Sequence, residues 1–282
     1  MARLYDYLSL AQPRIVALLV LSALAGFGRA RSSWNGFVLL PLVSVLVAVL
    51  ASSMGAELLN KMLEVDIDGK MRRTASRASV SGAVSPLTGT AWGVTLVSLG
   101  IVAGGLANWL TSLMIALGAV FYVLVYTAVF KRRSRFAVLI GGFAGSFCVW
   151  AGVAAAAGTI TIPGIILGML VLLWIPGHIW SLALRFRKEY RRAGVPMFSA
   201  VETPRKGTMA IVFFNILMSL VSLSLALFLG AYYLAMILIP LLLILYLSYR
   251  VAANQSVAWP LFKFSSPYLA FVFFAVILTR LL

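Results

Sequence analysis

Apolar residues arrive in this chain as long blocks. Stretches of about 20 residues, the length of helix that crosses roughly 30 Å of hydrocarbon, recur from one end to the other between short turns and basic segments. The runs and their breakers predict nine membrane helices, near residues 15–29, 36–59, 87–107, 109–129, 136–157, 163–184, 208–229, 231–250 and 266–282. No soluble-looking half interrupts them. The expected architecture is an all-α polytopic membrane protein, one integral domain over 1–282.

Composition agrees. Of 282 residues, 62% are hydrophobic and only 11% charged, and the mean hydropathy of +1.04 lies far above that of soluble domains. A formal net charge of +16 would suit a nucleic-acid partner, but its placement argues otherwise. With a cytoplasmic N-terminus, every Lys and Arg falls on the inner side except Arg29, Arg31 and Arg280. That bias is the signature of a multi-pass protein of the cell membrane, whose partner is the lipid bilayer. The first 14 residues carry Arg3, Asp6 and Arg14, and no small-residue cleavage site follows, so the N-terminus is expected to be mature. The single cysteine, Cys148, sits in an apolar run and is expected only to pack.

The connections after the second, fourth and sixth spans are long or charged and emerge on the inner side, where polar loops on a rigid scaffold usually carry chemistry. In the first of them, LLNKMLEVDIDGKMRRTASR (58–77), Glu64, Asp66 and Asp68 supply three of the chain's seven acids. Steps of four residues put Asn60, Glu64 and Asp68 on one helix face. Asp66 points elsewhere while the helix lasts, although Gly69 signals an ending that would recruit it from the turn. Two carboxylates about 5 Å apart repel by about 3 kcal/mol at an effective dielectric near 20, so the cluster calls for a cation. Oxygen donors of this kind suit Mg²⁺, which completes its shell with water and phosphate. Arg72, Arg73 and Arg77 follow at once, and guanidinium forks match phosphate oxygens in pairs. The competing reading is a solvated helix end in which the acids pair with Lys61, Lys70 and the arginines.

YTAVFKRRSR after the fourth span places Tyr126 and Lys131 at the membrane boundary, followed by Arg132, Arg133 and Arg135, which suit lipid head groups or a diphosphate, and taken alone the segment favours lipid. The sixth span ends in WIPGHIWSLALRFRKEYRRAGVPM, with the only histidine, His178, between Trp174 and Trp180 and with Glu189 beyond. An ionisable residue at membrane depth is a functional candidate because its burial is expensive. The alternative for His178 is a hydrogen bond between helices, and for the two tryptophans and Tyr126 an interfacial anchor.

These segments together resemble the UbiA superfamily of intramembrane prenyltransferases, and within it the heme O synthase branch. The likeness covers nearly the whole chain. It is carried by LAQPRIVALLV (10–20), NKMLEVDIDGKMRRTASR, YTAVFKRRS, IGGFAGS (140–146), HIWSLALRFRKEYRRAGVPM (178–197) and LFKFSSPYL (261–269). The resemblance implies a nine-helix bundle around a central cavity capped by the same three loops. It implies Mg²⁺ and diphosphate at Asn60, Glu64 and Asp68 with Asp66 adjacent, diphosphate contacts from Arg72, Arg73, Lys131 and Arg132, and an acceptor pocket at Trp174, His178, Trp180 and Glu189. Where the family usually has Asp, this chain has Glu64 and Glu189; Gly177 and Ala78 stand where prolines are common.

The implied reaction transfers farnesyl from farnesyl diphosphate to a vinyl group of heme B, with water quenching the new cation to give heme O. Tyr126 would stabilise the allylic cation or bond a phosphate oxygen, and His178 is a candidate heme contact. A downstream heme-modifying enzyme or oxidase assembly would receive the product. Three alternatives remain: a sister enzyme prenylating an aromatic quinone precursor or a glycerol-phosphate lipid, a transporter, and a non-enzymatic scaffold. Acids gathered at one end of the spans count against the transporter.

Overall fold

The computed structural model describes residues 3–30 and 38–281; Arg31, the start of the second span and the Arg280 side chain lie outside the described residues. Among the described residues nine helices are long and apolar enough to cross a membrane. They are α2 (Pro13–Ala30), α3 (Leu39–Leu63), α5 (Pro86–Gly105), α6 with its π-helical continuation (Trp109–Val120 and Phe121–Phe130), α7 (Ala137–Ala157), α8 (Ile162–Arg185), α11 (Pro204–Ser224), α12 (Ala226–Ala253) and α13 (Ala258–Leu281). Short helices fill the ends: α1 (Leu4–Leu10), α4 (Val65–Lys70), α9 (Arg187–Arg192) and α10 (Phe198–Val201).

Helix starts follow local chemistry. Ser85, Asn108, Thr161 and Thr203 each accept a backbone N–H three residues on, from Thr88, Thr111, Gly164 and Lys206. Prolines in the first turn of α5, α8 and α11 add a preset φ where no intrahelical N–H is needed. The expected turn between the seventh and eighth spans falls at Gly230, whose φ of 78° breaks α12 near its start.

Several boundaries differ from the sequence reading, most at the seventh and last spans. The seventh span runs from Pro204 rather than 208 and ends at Ser224. The last begins at Ala258 instead of near 266, because LFKFSSPYL is helical throughout. Lys263 stays exposed with its ammonium over the Trp259 ring, so the charge costs that helix no burial.

Two hydrophobic clusters form the interior. One joins α8 to α11, α12 and α13; the other joins α2, α3, α6 and α7. Between them lies a cavity of about 320 Å³, lined by residues of both clusters and reaching the α3–α4 junction.

Candidate functional site

Helix α3 stops at Leu63 and Glu64 leaves helical geometry (φ −110°, ψ 13°), yet α4 restarts at once and Asp68 N–H bonds the Glu64 carbonyl at 2.8 Å. Glu64 thus caps both helices, and the bond is the first of α4. Asn60, Glu64 and Asp68 therefore all line the cavity, as four-residue spacing predicts, and all three are buried. Each oxygen already faces a cation of the chain: Lys61 Nζ at 2.6 Å from Asn60 Oδ1, Lys131 Nζ at 2.5 Å from Glu64 Oε1, and Arg77 Nη1 at 2.6 Å from Asp68 Oδ2. Burial alone would raise the Glu64 pKa, but Lys131 and Lys61 more than offset it and hold the carboxyl below its ordinary value. Burial likewise opposes the charge on Lys131, and Glu64 outweighs it, so the ammonium titrates above the usual lysine range.

Lys131 reaches Glu64 because the fourth span ends as a ten-residue π-helix rather than a regular helix. Thr127 Oγ1 bonds the Tyr122 carbonyl and Lys131 N–H bonds the Tyr126 carbonyl, both at five-residue spacing and 2.8 Å. The wide turns bring Tyr122, Tyr126 and Lys131 to the cavity, with the two tyrosine rings stacked at 6.0 Å and the Lys131 ammonium 5.5 Å from the Tyr126 ring. Gly141 of IGGFAGS makes room: a Cβ there would lie 2.8 Å from Tyr126 Cδ2.

The three loops expected to converge do so through direct polar contacts. Asp66 and Arg132 join the first to the second, Arg135 and Glu202 the second to the third, and Glu189 accepts the Arg73 backbone N–H across the third pair. Lys206 also reaches Glu202. Several expected site residues lie outside the cavity. Asp66 and Arg132 pair with each other in the open, with side chains 52% and 40% exposed, and neither lines the cavity. The Arg132 guanidinium also bonds the Leu63 carbonyl, so the pair fastens one loop to the other. Arg72 is exposed and off the cavity, and Glu189 braces the Arg73 backbone outside it. Arg73 and Arg77 do line it.

At the far wall His178 is buried between Trp174 and Phe262, whose ring centroids lie 4.4 Å and 4.3 Å away, and its Nδ1 is 2.6 Å from Ser265 Oγ. All three rings line the cavity. Trp180 does not. It is turned from the cavity onto Phe198 and Phe214, because it lies two residues from His178 on the helix. The glycine before the histidine has a local reason. Any Cβ at Gly177 would collide with Asn215 Oδ1, and Asn215 is fixed by its Nδ2 bond to Ser248.

Residues outside the sequence reading complete the cavity. Glu57 accepts hydrogen bonds from Gln12 Nε2 (2.7 Å), Lys61 Nζ (2.9 Å) and the Tyr122 hydroxyl (2.7 Å). Its signal was present: an acid inside an apolar run, seven residues before Glu64 and so on the same helix face.

The donor set fits Mg²⁺. Two buried carboxylates and an amide oxygen meet at one cavity, and Glu64 Oε1 is buried without an aligned hydrogen bond. No group of three His, Cys, Asp or Glu side chains suited to a metal occurs among the described residues. A hard cation that takes one or two carboxylates and finishes its shell on a substrate's phosphates needs no third.

A profile described as the UbiA prenyltransferase family matches residues 18–277. A protoheme IX farnesyltransferase from Metallosphaera sedula is 41% identical over 100% of this chain and 98% of its own, and one from Sulfurisphaera tokodaii is 39% identical over 99% and 94%. Among solved structures, a UbiA homolog from Archaeoglobus fulgidus bound to DMAPP and Mg²⁺ has a TM-score of 0.70 at 15% identity, covering 96% of this chain and 99% of that one. A UbiA homolog from Aeropyrum pernix gives 0.74 at 19%, covering 94% and 96%. Those two likenesses speak for the fold, and the profile and full-length identities for ancestry: this multi-pass membrane protein belongs to the UbiA prenyltransferase family.

Proposed function

We propose that the chain transfers a farnesyl group from farnesyl diphosphate to a vinyl group of heme B, with addition of water, giving heme O and diphosphate. The observation that carries this reading is full-length identity of 41% and 39% to protoheme IX farnesyltransferases. The cavity supplies the parts such a reaction needs. Arg73, Arg77 and Lys131 at its rim face the diphosphate and neutralise its charge as it departs. Asn60, Glu64 and Asp68 would hold Mg²⁺, which supplies Lewis-acid charge to the diphosphate oxygens. The stacked faces of Tyr122 and Tyr126 flank the allylic cation, and apolar walls keep water from it until the vinyl group attacks.

Trp174, His178 and Phe262 form an aromatic wall for the flat macrocycle. The Asp66–Arg132 pair holds the roof of the site rather than its substrate. The positive-inside distribution puts this rim on the cytoplasmic face, from which the product passes to a downstream heme-modifying enzyme or oxidase assembly. The test is acceptor choice. Purified protein with labelled farnesyl diphosphate and Mg²⁺ is offered heme B, an aromatic quinone precursor or a glycerol-phosphate lipid, and label is expected on the porphyrin alone. Transfer to either other acceptor in preference to heme overturns the reading.

A further inference from the structure

Glu57 is not among the residues assigned above to the diphosphate, yet three elements of the chain fix it in the cavity. It sits seven residues before Glu64 on α3, about 10 Å deeper along the axis and on nearly the same face. That is below the diphosphate rim, at the level where a prenyl carbon and its acceptor would meet. Three elements hold it. Lys61 gives it a counter-charge, and Tyr122 of the π-helix donates to Oε1 at 2.7 Å. The third is Gln12, the one non-glycine residue of positive φ (50°) among the described residues, and its Nε2 reaches Glu57 Oε2 at 2.7 Å. A left-handed glutamine is strained and persists where the surroundings enforce it. Glu57, Gln12, Lys61 and Tyr122 all line the cavity.

We propose that Glu57, through the Tyr122 hydroxyl, accepts the proton released when water captures the porphyrin carbocation; this rests on the reaction proposed above. The vinyl π pair forms the new C–C bond to the farnesyl C1 after the diphosphate has left, leaving a cation on the adjacent carbon. Water gives that carbon a lone pair. The oxonium so formed passes a proton to the Tyr122 oxygen while the phenol's own proton moves to Glu57 Oε1, and the hydroxyl group remains on the product. Glu64 and Asp68 are engaged at the rim by Lys131 and Arg77, which leaves Glu57 as the carboxylate at the depth of the acceptor.

The alternative role for Glu57 is to neutralise Lys61, and a paired substitution separates the two. Glu57→Gln alone strands a buried ammonium and endangers folding, so the variants are Tyr122→Phe and the charge-balanced Glu57→Gln/Lys61→Met. Each is given heme B, farnesyl diphosphate and Mg²⁺, and hydroxylated porphyrin is measured against diphosphate released. A proton acceptor at the reacting water predicts a ratio at least about tenfold lower in both variants, as loss of a general base should give. A ratio equal to that of the unsubstituted protein in either variant overturns the proposal, including when both products fall in parallel. If the unsubstituted protein releases diphosphate and makes no hydroxylated porphyrin, the reaction assigned above fails, and this step with it.

Discussion

Lys131 Nζ lies 2.5 Å from Glu64 Oε1, across the gap between the fourth span and the end of the second. The contact holds the buried Glu64 carboxyl below its ordinary pKa, against the opposing effect of burial. With a metal and an anionic substrate bound, Glu64 would be available to the metal and Lys131 to the phosphate oxygens.

Neutralising the rim acids should stop the reaction. Glu64→Gln and Asp68→Asn are expected to lower kcat by about 10²-fold or more, the scale of losing preorganised charge at a reacting centre. Asp66→Asn and Arg132→Gln break an exposed pair worth about 1 kcal/mol or less and should leave turnover within about threefold. Steady-state rates of all four variants check this, and equal losses across them would remove the distinction between rim and roof.

The Lys131 contact has a pH signature. Glu64 is held below its ordinary value of 4.5, so its charged form contributes stability above that pH, and the contribution is lost as pH falls through the lowered folded value. In Lys131→Met, burial acts with less opposition and the folded pKa moves up. The acid-side fall in thermal midpoint should then begin at higher pH than in the unsubstituted protein, as measured in detergent without metal.

Gly177→Ala should destabilise the protein by about 1–3 kcal/mol, because the new methyl meets Asn215 Oδ1 in a packed contact. Adding Asn215→Ala removes the obstruction and is expected to recover part of the loss. Thermal unfolding of the two variants decides the matter.

The aromatic wall separates from its neighbour in the same way. Trp174→Ala and Phe262→Ala open the faces of His178 and should weaken heme binding in an absorbance titration about tenfold. That change corresponds to roughly 1.4 kcal/mol, within the range of a lost aromatic stack. Trp180→Ala, packed on Phe198 and Phe214 away from the cavity, should lower stability and leave the heme affinity of folded protein unchanged.

The spans were legible because the length of an apolar block is itself the physical requirement for crossing a membrane. The placement of Asn60, Glu64 and Asp68 was legible from helical period, since α4 restarts directly from Glu64 with a four-residue backbone bond to Asp68. The outward direction of Asp66 followed from the same period, because α4 continues past Gly69 to Lys70 instead of turning there. The π-helix was not legible, because FYVLVYTAVF has the same hydropathy in either geometry; only Gly141 on the facing helix registers the displaced Tyr126. The last span was expected from about 266, which left the first half of LFKFSSPYL outside it, whereas the helix starts at Ala258. In the fold Lys263 is exposed, Ser265 bonds the Phe262 carbonyl and meets His178, and Pro267 faces outward, so each polar group has an outlet.

Mass analysis of the porphyrin after incubating purified protein with heme B, farnesyl diphosphate and Mg²⁺ tests the central claim most directly. The account predicts a porphyrin heavier by one farnesyl group and one hydroxyl, dependent on Mg²⁺ and absent in Asp68→Asn. Unmodified heme B beside released diphosphate would contradict it.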